Sequence, residues 1–286
     1  PCQFQLPVLR LPWLVRAATT AFGGSSVMPV APISLRWWLL PLVLFAASAP
    51  LWLHRFEPAT FVYLNALCAG VAAPVWTGLS LLGNAWGVLG VTAPLLVLAP
   101  RLMWAWLCAA PFAIVFARVG KGLIVSPRPA AEVDNAQMRI VGEALHNVSM
   151  PSGHTLTAFA VASAIYFALP LTGRTRHVWL FALAAAAGLS RIAVGAHWPG
   201  DVAVGASLGL LAGMLGVQLL ARMDVKHLQP TAWSLRLVAL LLGVTAFTLW
   251  TEAQDFDENQ PVQYLLAVLV VVSLGFFGKQ NLASKR

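Results

Sequence analysis

The sequence predicts an all-α fold, a polytopic transmembrane helical bundle, and three observations carry that reading. Of 286 residues, 59% are apolar and only 10% charged, where roughly 25% charged is usual for a soluble domain. Mean hydropathy is +0.77. The uncharged runs recur at lengths of about 20 residues, which span a hydrocarbon core about 30 Å thick at about 1.5 Å per helical residue. This composition excludes disordered, collagen-like and disulfide-scaffold classes. The net charge is +8, yet the basic residues stand singly between apolar segments, so there is no basic stripe of the kind that binds nucleic acid.

Taken in order, the expected spans cover residues 37–54, 79–99, 102–120, 154–173, 177–197, 201–221, 234–251 and 262–278. The stretch from Pro58 to Gly78 is apolar but interrupted by Gly70 and Pro74, which suits an interfacial or re-entrant piece better than another span. The first run has a rival reading as a cleaved signal peptide, because Arg36, the apolar stretch and Ala47-Ser48-Ala49 imitate its three regions. Pro50 directly after the cut disfavours cleavage. Residues 1–36 form an N-terminal cytoplasmic segment in this scheme. The first 27 residues read unlike the rest, which makes Met28 a candidate translation start; peptides from residues 1–27 in the purified protein would overturn that.

Charge orients the bundle. With both termini inside, twelve of the 18 basic residues fall on the inner side and six outside, namely Arg55, Arg118, Lys121, Arg128, Arg139 and Arg191. This is the positive-inside bias of a cytoplasmic membrane protein. Nine of the ten acidic residues lie outside, Asp224 being the exception. The outer cations therefore need a reason of their own.

Three outer segments supply one: Lys121 to Pro129, Pro151-Ser152-Gly153-His154, and Ser190-Arg191 followed by His197 and Asp201. His154 opens the fourth span and His197 closes the fifth, so both imidazoles return to one membrane face, where Lys121 ends the third span. Arg128 and Arg191 offer planar forks for phosphoryl oxygens, and Lys121 adds a point charge. Ser152 and Gly153 precede a helix, where a hydroxyl, free N–H groups and the helix dipole favour an anion. A neutral His197 can attack phosphorus if its other ring nitrogen donates to Asp201, four residues on. Protonated His154 can donate to the leaving alkoxide and later activate water. No metal and no other cofactor is required by this chemistry.

These residues resemble the type 2 phosphatidic acid phosphatase (PAP2) superfamily, whose signature reads KxxxxxxRP, PSGH and SRxxxxxHxxxD. Lys121, Arg128 and Pro129 match the first part, Pro151 to His154 the second, and Ser190, Arg191, His197 and Asp201 the third. Each fragment alone is weak; the ordered set is highly specific. The resemblance covers roughly residues 37–222 and implies a six-helix PAP2-like catalytic core, with residues 223–286 adding two C-terminal spans and a short tail. It implies a phosphohistidine on His197 supported by Asp201, with His154 as proton donor. Lys121, Arg128, Ser152, Gly153, Ser190 and Arg191 are then the phosphate ligands.

The expected function is hydrolysis of a lipid phosphate monoester or diphosphate, such as phosphatidate, phosphatidylglycerophosphate, undecaprenyl diphosphate or a lipid A phosphate. The expected place is a bacterial cytoplasmic membrane with the site facing the periplasm. A phosphotransferase using the same phosphohistidine is the first alternative, separated by phosphate release without an acceptor. A lipid or ion transporter is a second class; it calls for charges at the bilayer midplane or broken helices in paired halves.

Other polar residues have plainer readings. Cys2, Cys68 and Cys108 lack metal-ligand spacing and read as small packing residues. His146 reads as a solvated loop residue, and His54, His177 and His227 as interfacial. The acidic run Glu252, Asp255, Asp257, Glu258 reads as a solvated outer connection, since it lacks calcium-loop spacing. Gly83/Gly87 and Gly205/Gly209/Gly213 read as stripes that let membrane helices approach.

Overall fold

Helix is the only regular structure among the described residues, as backbone hydrogen bonding in lipid demands of any span that is not a closed barrel. The computed structural model describes residues 31–53, 58–229 and 231–283. The candidate start at Met28, Cys2 and His54 lie outside them. The elements are α1 Leu35–Ala47, α2 Ala49–Leu53, α3 Pro58–Cys68, α4 Ala73–Ser80, α5 Ala85–Thr92, α6 Leu95–Leu98, α7 Pro100–Leu123, α8 Pro129–Glu132, α9 Gly153–Ala168, α10 Trp179–Ala193, α11 Pro199–Leu220, α12 Trp233–Thr251 and α13 Gln260–Ala283.

Four stretches are long and apolar enough to cross a bilayer: Pro100–Leu123, Pro199–Leu220, and the two that contain α12 and α13. On them, large apolar side chains such as Ile114, Leu240, Phe247 and Leu265 face outward. In water such a belt would be an aggregation surface; against acyl chains it is matched. The protein is thus a multi-pass membrane protein.

Several expected boundaries move. The run 79–99 is not one helix: α4 ends at Ser80, a turn follows, and α5 and α6 are short. Asn84 causes the restart, its Oδ1 accepting from the N–H groups of Trp86 and Gly87 as an N-cap. Helix α9 stops at Ala168, short of the expected 173. There the Arg174 guanidinium donates to the carbonyls of Phe167 and Leu169, closing the helix end. Helix α10 stops at Ala193, which leaves His197 in a loop rather than on a span. The Pro58 to Gly78 stretch forms α3 and α4, bent by 109° against each other.

The centre of the bundle is α7, α9 and α11, packed on one another. Glycine makes the α9–α11 approach possible: a Cβ on Gly209 would lie 2.5 Å from the Leu156 carbonyl oxygen, and one on Gly205 2.7 Å from that of Ser152. This stripe packs two helices as read. Gly83 does not, for it sits in the turn after α4, where a Cβ would lie 2.5 Å from the His154 carbonyl oxygen. Its smallness serves a turn pressed on the start of α9.

Around the trio, α1 packs on α11, with Ser207 Oγ donating to the Pro41 carbonyl at 2.6 Å. Helix α10 packs on α9 and α4, while α12 and α13 form an antiparallel pair against α5 and α6. Buried Met103, Trp106, Leu156, Phe167, Met214 and Leu242 belong to one continuous apolar core. Cys68 and Cys108 are buried, free thiols. The end of α7, the starts of α9 and α11, the end of α10 and the loop between α12 and α13 share one end of the bundle.

Candidate active site

Asp201 organises this end. It occupies the third position of α11, and its Oδ2 accepts the backbone N–H of Trp198, the helix N-cap, at 2.9 Å. The same oxygen accepts from Ser149 Oγ at 2.5 Å and lies 3.2 Å from His197 Nδ1. One buried carboxylate thus starts the helix and holds the imidazole. Trp198 fixes the loop from the other side: its indole donates to the Pro127 carbonyl at 2.9 Å, and its ring meets Phe61 edge-on.

The second nitrogen of His197 faces a cation. Arg128 Nη1 lies 3.2 Å from Nε2 and also donates to the Ala196 carbonyl at 2.7 Å, while Arg128 Nε donates to Asn147 Oδ1 at 2.6 Å. The guanidinium has donors only, so Nε2 accepts and the ring proton resides on Nδ1, shared toward Asp201. His197 lies outside the helices. Burial first, then the charges of Arg128, Arg191, Lys121 and His154, hold its imidazole well below the ordinary histidine range.

Arg191, in the last turn of α10, donates through Nη1 to Ser80 Oγ at 2.5 Å, and its guanidinium stands over the Phe256 ring at 5.8 Å. Its Nε is buried with no partner among the described residues. Arg128 and Arg191 are 5% and 4% exposed, yet among the described residues neither has a carboxylate within salt-bridge distance. Asp201 and Asp255 oppose these charges from beyond direct ion-pair distance, so both guanidiniums keep donors with which an anion can be bound. Lys121, in the last turn of α7, adds its charge within electrostatic range of both.

The remaining sequence-derived residues divide. A Cβ on Gly153 would meet nothing within 4 Å, so the first turn of α9 is open to a ligand there. Ser152 Oγ instead accepts from Thr155, from its N–H at 3.4 Å and its hydroxyl at 3.0 Å, and Ser190 Oγ donates to the Ala187 carbonyl at 2.7 Å. Both serine hydroxyls are engaged within their own helices. His154 stands at the start of α9, its Nε2 2.9 Å from Asp255 Oδ2.

Asp255 lies on the connection that sequence reasoning read as solvated and is exposed there, yet it pairs with His154. Ser149, Asn147 and Ser80 also enter the site without a motif to announce them. A cleft of about 450 Å³ opens beside Arg191 and Asp255, with Val141, Leu145, Ala196 and Phe256 among its walls. Among the described residues no group of three His, Cys, Asp or Glu side chains is arranged to hold a metal ion.

The site thus joins two imidazoles, each beside a carboxylate, with buried cations at one end of a helical membrane scaffold. Residues 101–223 match the model of the PAP2 superfamily. Over 89 residues, 31% of the chain, it is 36% identical to a lipid A 1-phosphatase of Porphyromonas gingivalis. Over 87 residues, 30% of the chain, it is 38% identical to the bacitracin transport permease protein BcrC of Bacillus licheniformis. These matches span 19% and 40% of the two relatives' own lengths. Among solved structures, Aquifex aeolicus LpxE aligns with 55% of this chain and 93% of its own at 25% identity and a TM-score of 0.47. A PAP2-type phosphatidylglycerolphosphate phosphatase from Bacillus subtilis aligns with 66% and 96% at 21% identity and the same TM-score.

Proposed function

We propose that this protein is an integral membrane lipid phosphatase that hydrolyses a lipid phosphate monoester or diphosphate through a phosphohistidine on His197. The observation that carries the reading is the approach of the buried Arg128 guanidinium to His197 Nε2, 3.2 Å away, with Asp201 at the other ring nitrogen. A phosphoryl group arriving there takes over the Arg128 contact and meets a nucleophilic nitrogen in line with its leaving group. Arg128, Arg191 and Lys121, with the open first turn of α9 at Gly153, bind the phosphoryl oxygens; Ser152 and Ser190 support the backbone that carries these groups.

Attack forms the Nε2–P bond and breaks the P–O bond to the lipid, whose alkoxide or phosphate oxygen takes a proton from His154. Asp201 stabilises the positive charge that develops on the His197 ring. Neutral His154 then accepts a proton from water, which attacks phosphorus and releases inorganic phosphate and free His197. A site at the end of the bundle lets a head group enter while its chains stay among lipids. The lipid A 1-phosphatase relative supports a lipid A phosphate as one member of the substrate panel.

Residues 37–222 are the catalytic core in this reading, and the site faces the periplasm of a bacterial cytoplasmic membrane with both termini inside. A single Cys introduced in the 130–150 loop, labelled by a membrane-impermeant reagent in intact spheroplasts, tests the orientation. Phosphate release from the four lipid classes named above, with chelator present and no acceptor added, tests the activity. Loss of release in His197→Ala is expected; release at the wild-type rate would overturn the mechanism, and transfer only to an added lipid alcohol would make the protein a phosphotransferase.

A further inference from the structure

We propose that Asp255, on the loop between α12 and α13, is a positioning residue for His154, so that the C-terminal helix pair completes the catalytic site. The proposal rests on the reading of His154 as proton donor and deepens it. Asp255 Oδ2 lies 2.9 Å from His154 Nε2, and the same oxygen accepts from Asn84 Nδ2 at 3.0 Å. Asn84 is itself fixed, because its Oδ1 caps α5. The carboxylate thus bridges the turn after α4 and the start of α9, two segments far from it in sequence.

The loop is built to hold that carboxylate. Asp255 has φ 58°, the one non-glycine residue with positive φ among the described residues, a conformation that persists where surroundings enforce it. On one side of it, Asn259 Nδ2 donates to the Thr77 carbonyl at 3.1 Å, tying the loop to α4. Next to it, the Phe256 ring is buried under the Arg191 guanidinium. A loop serving only as a connection needs none of these contacts.

The pairing decides which nitrogen of His154 works. Asp255 lies outside the helices; burial raises its carboxyl, but the hydrogen bond and charge of His154, then Arg191 and Asn84, outweigh this and leave it at about 2. It is therefore ionised near neutrality and accepts from Nε2–H, which leaves Nδ1 to face the leaving group. Arg191 from α10 and Arg128 from the loop after α7 bear on the same imidazole as cations, and His197 faces it from the loop before α11. Asp255 is the anion that opposes them and favours the imidazolium. The proton delivered to the leaving oxygen comes from Nδ1, while the Nε2–H to Asp255 bond stays intact throughout.

The test uses the purified full chain in dodecylmaltoside with dioctanoyl phosphatidate, measuring phosphate release from about pH 5 to 9. Asp255→Asn is expected to lower kcat about 10- to 100-fold with KM within about twofold, as loss of a partner that orients a working histidine does. The alkaline limb of the kcat profile moves to lower pH by about 1 unit or more. Asp255→Glu restores most of both, and Asp255→Ser repeats the shift should the Asn variant not fold. Wild-type kcat and an unmoved limb in Asp255→Asn, with His154→Ala inactive, overturn the proposal alone. Full activity in His154→Ala overturns the reading beneath it.

Discussion

Arg128 Nη1 stands 3.2 Å from His197 Nε2, and this contact sets the tautomer of the proposed nucleophile. Because arginine only donates, the lone pair is on Nε2 and the proton on Nδ1, facing Asp201 and Ser149. Asp201→Asn offers an amide that can turn its NH₂ toward Nδ1 and stabilise the opposite tautomer. Its kcat is expected to fall on the order of 10²- to 10⁴-fold with little change in KM. A stopped-assay measurement of phosphate release checks this, and Ser149→Ala, which removes only the second partner, is expected to fall less.

The same cations set a pH dependence. Burial and the charges of Arg128, Arg191, Lys121 and His154 depress His197. Its neutral, attacking form therefore persists as pH falls below the ordinary histidine range near 6.5. The acid limb of kcat/KM is expected to lie below about pH 6.5 for that reason. Replacing Arg128 by Met removes the charge that lowers His197 most after burial, so the limb moves to higher pH while the whole profile drops. A pH series on purified wild type and variant checks the sign; a limb that moves downward contradicts it.

Fork geometry separates the two arginines from Lys121. Arg128 uses Nε and Nη1 on two different acceptors, and Arg191 keeps a buried Nε without a partner among the described residues. Lysine at either position keeps the charge and loses the planar pair. Arg191→Lys is expected to lower kcat/KM about 10- to 100-fold, about 1.4 to 2.7 kcal/mol of transition-state binding. Arg118→Lys, on an exposed helix position outside the site, is expected to leave it within twofold of wild type, which steady-state kinetics on both variants would show.

What could be read from residues alone follows the distance over which each signal acts. The Lys121–Arg128, Ser152–His154 and Arg191–Asp201 groupings are local, each within one turn, loop or helix end, so spacing was enough to place them at one membrane face. The break at 81–84 was legible in principle, since Asn84 is a capping residue and Gly83 and Pro94 flank the weak stretch; apolar content masked it. Asp255 was not legible. It lies 101 residues from His154 and 171 from Asn84, among acidic residues as exposed as itself, and no periodicity links it to either. Ser149, Asn147 and Ser80 are hidden for a related reason: each acts on motif residues only through side-chain contacts across the fold, which leave no pattern.

The glycine stripe of α11 makes the last prediction, one of stability. Gly205 and Gly209 let α11 lie against the backbone of α9, where Cβ atoms would stand 2.7 Å from the Ser152 oxygen and 2.5 Å from the Leu156 oxygen. Neither obstacle is a flexible side-chain end, so one helix must move to admit a methyl group. Gly209→Ala is therefore expected to destabilise the fold by about 1 to 3 kcal/mol, as overpacking of a tight interface does. Gly205→Ala carries the strain closer to Asp201, four residues away on the same helix face, and adds a loss of turnover that Gly209→Ala shows less. Gly275, where a Cβ meets nothing within 4 Å, is the control: Gly275→Ala is expected to leave stability unchanged or slightly raised, since alanine is the better helix former by about 1 kcal/mol. Thermal unfolding in detergent, followed by tryptophan fluorescence, ranks the three, and a Gly209→Ala protein as stable as Gly275→Ala would mean that α9 and α11 do not meet this closely.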